Sequence, residues 1–207
     1  MKKFVLAFGI PVLAVASLIG SGYATWYFNS DVSTNYKDIA LELKEKRVVG
    51  AEFQHTASED FKLVLDQPDY TKTDGMPTGR MGVHFEGTFT ESLAANDGGA
   101  NKFVKGTSYT ATTKITIPSA VAKYVNFTFN GQTSSADSTD DSTLTKVDDS
   151  LKVVGEDQST FDVFNISEVT VAYTTSEPKN SAEYDTMQTA LKNQTIRISF
   201  EAKINTK

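Results

Sequence analysis

The sequence predicts an all-β protein: an antiparallel β-sandwich or jelly roll with one short helix near the C-terminus, preceded by an apolar N-terminal helix. Three observations carry this expectation. Apolar and polar residues alternate at period two in many short segments, the pattern of half-buried strands. Clusters of Gly, Pro, Asn and Asp separate these segments as turns. Beyond the N-terminus a single stretch has helical spacing, so the alternating strands and helices of a parallel α/β fold are missing.

The first element is the N-terminal segment. Lys2 and Lys3 precede an uncharged run from Phe4 to Ser30, whose apolar core is Phe4 to Ile19. Two positive charges, an apolar stretch and a small-residue exit at Gly22 and Ala24 form a secretory signal, with cleavage expected between Ala24 and Thr25. The alternative is an uncleaved anchor. A spanning helix needs about 20 apolar residues, and the run reaches that length if it continues to Phe28. Trp26, Tyr27 and Phe28 would then form an interfacial aromatic belt. Either version leaves the body of the protein extracellular or on the outer face of the cytoplasmic membrane. The expected division is therefore 1–24 signal peptide or anchor, 25–36 linker or N-terminal assembly strand, and 37–207 the β-sandwich domain.

The stretch Gly22-Tyr23-Ala24-Thr25-Trp26-Tyr27-Phe28-Asn29-Ser30-Asp31 resembles the N-terminus of TasA/camelysin-type proteins, with a looser likeness at Asn193 to Ile204. The shared pattern is a Gly-rich exit, Ala at the cut, then an aromatic and an acidic residue. This chain carries three consecutive aromatics there. The resemblance implies an exported matrix-fibre protein of Gram-positive bacteria, cut by a dedicated signal peptidase and assembling with itself.

The remaining elements follow in order. Ile39, Leu41 and Leu43 alternate with polar residues, and Val49, Ala51 and Phe53 repeat the pattern, with a bulge expected at Gly50. Phe61, Leu63 and Leu65 form the next strand, and Asp66 to Gly79 a turn-rich loop. Met81, Val83, Phe85 and Phe89 share one parity and read as one long strand. After a loop tip at Asn96 to Gly99, strands are expected at Tyr109–Ile117 and Val125–Phe129. Asn130-Gly131 is a hairpin signal, but the residues after it are mostly Ser, Thr and Asp. Gly131 to Asp149 therefore reads as a long solvated loop, with a short strand at Leu151–Val154 after it. Phe161, Val163, Val169, Val171 and Tyr173 form one bent strand or two. Asn180 to Asn193 is the helix, capped by Asn180 with Glu183 three residues on and carrying Tyr184, Met187 and Leu191 on one face. Ile196 to Ile204 is the cleanest alternating strand.

Composition narrows the function. The chain has 207 residues, 20 basic and 26 acidic, for a net charge of −6. That balance disfavours nucleic acid and anionic lipid as partners. Without cysteine there is no thiol nucleophile, thiolate metal site or lipidated Cys, and the core must stabilise the exported domain alone. His55 and His84 are the two histidines. His84 is expected to face solvent from a strand and His55 to lie in a loop. No His-Glu-x-x-His is present, so the metalloprotease that the family's name suggests lacks its residues. No serine stands in a Gly-x-Ser-x-Gly elbow, and Glu52, Glu86 and Glu201 lie at outward strand parity rather than across a cleft.

No catalytic site is expected. The one metal candidate is a calcium site at Asp137, Asp140 and Asp141, where carboxylates and hydroxyls cluster without the Asp-x-Asp-x-Asp-Gly spacing. Tyr109 and Tyr124, with the phenylalanines, are candidates for a carbohydrate platform. Asn126-Phe127-Thr128, Asn165-Ile166-Ser167 and Asn193-Gln194-Thr195 match the glycosylation tripeptide.

Two functions result. One is a non-enzymatic structural protein of the bacterial envelope or extracellular matrix, partnered with itself or with matrix components. Its route is strand addition, with Trp26 and Phe28 on the donated strand. The other is a tethered or secreted module binding a glycan, peptide or calcium, held to the membrane by the N-terminal segment if that segment is uncut.

Overall fold

The computed structural model describes residues 23–28, 40–46, 51–66, 82–96 and 102–205. The expected apolar helix at Phe4–Ile19, the Gly50 bulge and nearly all of the Asp66–Gly79 loop lie outside these residues. In chain order the strands are β1 Tyr23–Phe28, β2 Ala40–Lys46, β3 Ala51–Ala57, β4 Lys62–Leu65, β5 Val83–Glu86, β6 Phe89–Ala95 and β7 Ser108–Ile117. A one-turn helix α1, Ser119–Ala122, leads to β8 Val125–Phe129, β9 Gln132–Thr133, β10 Ser142–Lys152, β11 Thr160–Asn165 and β12 Val169–Tyr173. Helix α2, Ser181–Leu191, precedes the last strand, β13 Thr195–Ile204.

The main sheet has five strands in the order β1-β2-β13-β7-β10. Its centre is β13, which pairs antiparallel with β7 and parallel with β2. The β2–β13 pair, the one parallel pair among the described strands, departs from the expected all-antiparallel sheet; a parallel pair needs a long crossover, and here most of the chain lies between the two strands. Two three-stranded sheets, β11-β6-β3 and β12-β8-β9, and the β4-β5 hairpin complete the strands. Phenylalanine rings join these layers. Phe200 of β13 lies 5.8 Å from Phe53 of β3 and 5.7 Å from Phe164 of β11. Phe164 in turn meets Phe129 of β8 edge-on at 5.6 Å and Phe89 of β6 at 6.0 Å. The buried apolar residues form one continuous core, the sandwich that the alternating pattern predicts.

Several elements differ from expectation. The strand expected over Met81–Phe89 is two strands, because the backbone turns at Gly87, where φ is +79°. A Cβ there would stand 2.3 Å from Ser58 Oγ, so only glycine fits. This corner sends β5 to β4 and β6 to β3 and β11. The bent strand after Phe161 is two strands in different sheets, β11 and β12, joined by a 3-10 turn at Ile166–Glu168. Asn165, expected only as part of a glycosylation tripeptide, caps that turn: its side chain accepts from Ser167 N, and Glu168 accepts from Asn165 N.

The solvated loop expected over Gly131–Asp149 is also corrected. Asn130 and Gly131, both with positive φ (49° and 72°), close a tight hairpin onto β9, and β10 runs eleven residues along β7. The short strand expected at Leu151–Val154 is the end of β10 as far as Lys152. Helix α2 is as expected: Asn180 Oδ1 accepts from Glu183 N at 2.9 Å, and Tyr184, Met187 and Leu191 are buried. The Tyr184 hydroxyl donates to Leu65 O at 3.1 Å, tying the helix to the end of β4.

Candidate functional site

The chemistry-bearing residues do not converge. Asp137, Asp140 and Asp141 are exposed. Asp141 Oδ1 accepts from Ser119 N at 3.2 Å, at the start of α1, and the Asp140 N–H donates to Ser138 Oγ. Among the described residues no group of three or more His, Asp or Glu could hold a metal ion. Tyr109 is buried between Phe103, 5.2 Å away, and Phe161, 6.3 Å away, so it belongs to the core and not to a carbohydrate platform. Burial pushes its phenol above the usual pKa.

Both histidines are placed differently from expectation. His55 lies in β3, not in a loop, and its ring stacks on Phe89 at 6.2 Å. His84 is half-buried rather than solvent-facing, with Nδ1 3.9 Å from Asp66 Oδ2, because β5 is covered by the segment that ends β4. Glu52, Glu86 and Glu201 keep to the partly or fully exposed positions their parity predicts.

Among the described residues two acids are deeply buried, Glu91 and Glu42, neither of them a candidate from the sequence. Glu91 of β6, 1% exposed, faces the core between Phe89 and Leu93, directly opposite His55 of β3 and Phe164 of β11. Glu42 of β2 accepts from Arg197 Nε at 2.6 Å across the parallel β2–β13 pair. The signal for Glu91 was legible: it shares the parity of Phe89 and Leu93, an acid in an apolar row.

The feature with a functional consequence is the pair of outer edges of the five-stranded sheet. At one edge stands β10. The Thr145 N–H donates to Gln132 Oε1 at 2.6 Å, and the Thr145 carbonyl accepts from Asn130 Nδ2 at 3.1 Å. The turn between β8 and β9 thus occupies backbone groups that a further strand would need. Lys146 Nζ is fastened to Glu168 Oε2 at 2.6 Å beside it. A mid-strand block of this kind disfavours edge-to-edge pairing.

At the other edge stands β1, which among the described strands pairs with β2 alone. The register sets Trp26 opposite Leu43 and Phe28 opposite Leu41, the two buried leucines of β2. Tyr23–Phe28 is therefore strand, and the expected aromatic belt of a spanning helix is corrected: those residues belong to the domain's sheet. Among the described residues no helix is long and apolar enough to cross a membrane. The bond between Ala24 and Thr25 falls inside β1.

The chain matches no family model, no curated protein and no solved structure.

Proposed function

We propose that this protein is an exported, non-enzymatic structural subunit of a bacterial envelope or extracellular matrix, assembling by strand addition through β1. The observation that carries the reading is the position of β1, the first described strand, at the edge of the main sheet and paired among the described strands with β2 alone. Eleven residues, 29–39, separate it from β2. A strand attached to one neighbour can leave it and pair with the same edge of another copy. The exchange swaps equal backbone hydrogen bonds, so its net cost is small. The other edge is blocked at Thr145, which leaves β2 as the acceptor and gives the contact one direction. Heterologous contacts of this kind extend into filaments where they do not close.

Cleavage between Ala24 and Thr25 supplies the release: it removes Tyr23 and Ala24 together with the apolar segment before them and leaves Thr25–Phe28 as a free N-terminal strand. The N-terminal pattern shared with TasA/camelysin-type proteins supports the same reading.

The test compares the chain begun at Thr25 with the chain begun at Asp38 by sedimentation. The Thr25 form is expected to yield concentration-dependent oligomers. The Asp38 form should stay monomeric and bind an added peptide of residues 25–36. Equal monomer from both forms removes the proposal.

A further inference from the structure

We infer that the end of the sandwich at which β1 begins is a membrane-facing surface, whose exposed valines enter the lipid interface while the N-terminal segment is uncut. The sheet directions identify this end. β2, β10 and β13 run toward it, and β1 and β7 run away from it. The chain before Tyr23 therefore joins the domain there. At the same end are Val104 and Val154, 70% and 71% exposed, and Ile204 at the end of β13. Val104 and Val154 stand on adjoining loops, linked by bonds from Gly106 N to Val153 O and from Phe103 N to Gln158 O, 2.9 and 3.0 Å.

Lengths commit this patch to a bilayer. Gly20, Ser21 and Gly22 separate the apolar core of the N-terminal segment from β1. Three residues span at most about 10 Å, and a headgroup layer is about 5 to 8 Å thick. Tyr23 is level with Lys46 of β2 and Glu201 of β13. Ile204 lies three residues further along, about 10 Å at the strand rise. The tips therefore reach as far as the tether does. Phe4–Ile19 is shorter than a full span, so with it in the bilayer the tips are drawn at least into the headgroup layer.

The local charges suit this. Lys102 is paired with Asp157, whose carboxyl it holds below the usual range, and Lys105 Nζ lies 3.3 Å from Glu156. The acids on these loops are neutralised instead of repelling a headgroup surface.

The inference rests on the export reading, but not on assembly. The cysteine-free chain makes single labels clean. The full chain, with its N-terminal segment intact, is reconstituted into phosphatidylcholine vesicles. Val104→Cys, Val154→Cys and Thr139→Cys (at the opposite end) each carry an environment-sensitive fluorophore, read with a quencher on shallow lipid positions. Quenching at 104 and 154 several-fold above that at 139 is expected, and unchanged when phosphatidylglycerol is added. Equal quenching at all three sites in vesicles that float with bound protein overturns the inference while leaving export intact. So does cross-linking of 104 between two copies, which would make a second copy the occupant. Failure to float overturns the premise that Phe4–Ile19 enters the bilayer, and the inference with it.

Discussion

Tyr109 sits in β7 opposite Leu151 and Ile204, its ring enclosed by Phe103 and Phe161. Its phenol ionises above the usual value of about 10 because burial disfavours the phenolate. In the unfolded chain it ionises first. Its contribution to stability is thus complete below about pH 10 and is lost as pH rises toward the folded-state value. Tyr109→Phe removes that dependence. Urea midpoints measured from about pH 9 to 11 should fall less steeply for the variant than for the parent; parallel profiles would contradict this. Glu91 shows the opposite legibility. Its alternation announces a core position while its chemistry denies it, and the structure sides with the alternation: the carboxylate is inside, opposite His55.

The informative element is β10. Leu144 and Leu151 are both buried, though seven residues apart. On a regular strand an odd separation puts two side chains on opposite faces. The register resolves this: Asp148 pairs with Ala111 and Leu151 with Tyr109, so one residue is extra and the parity flips. This bulge, together with the polar residues of a half-exposed edge strand, made the segment read as loop. Deleting Asp149 leaves the leucines six residues apart, the spacing of their partners Ile115 and Tyr109, so both stay inward on a regular strand. In urea unfolding it should cost less than about 1 kcal/mol, like deleting Thr139 in the loop before β10. Leu151→Ala, which empties the buried position itself, should cost about 2 to 5 kcal/mol; an equal loss from the Asp149 deletion would contradict the parity argument. β11 hides its pattern the same way: a register shift between Asp162 and Phe164 buries the adjacent pair Val163 and Phe164.

For the whole molecule, the phenylalanine contacts through Phe200 and Phe164 connect the main sheet to both three-stranded sheets, and the sheets are expected to unfold as one cooperative unit. Phe200→Ala is expected to cost about 3 to 5 kcal/mol. Native-state amide exchange should show the loss equally in β13 and in β8, whose Phe129 is connected to Phe200 through Phe164. Loss confined to β13 and its neighbours would mean that the sheets open separately. At this scale the two edges also acquire different roles. β10 is closed by side chains of the adjacent β8–β9 hairpin, and β1 is the strand that the proposed assembly would exchange.

The sequence by itself determined the all-β class, the long central strand β13 and the capped helix α2, because each rests on local periodicity or a cap. The tertiary structure alone decided which strands pair, the corner at Gly87, the bulges that return Leu151 and Phe164 to the core, and the burial of Glu91. It also decided that Tyr23–Phe28 is an edge strand whose first residue stands at the end bearing Val104 and Val154. The physical reason is range. A strand's alternation is written within a few residues, but its partner and its register come from segments far along the chain, and even the side chains that close β10 come from a hairpin 13 to 15 residues away.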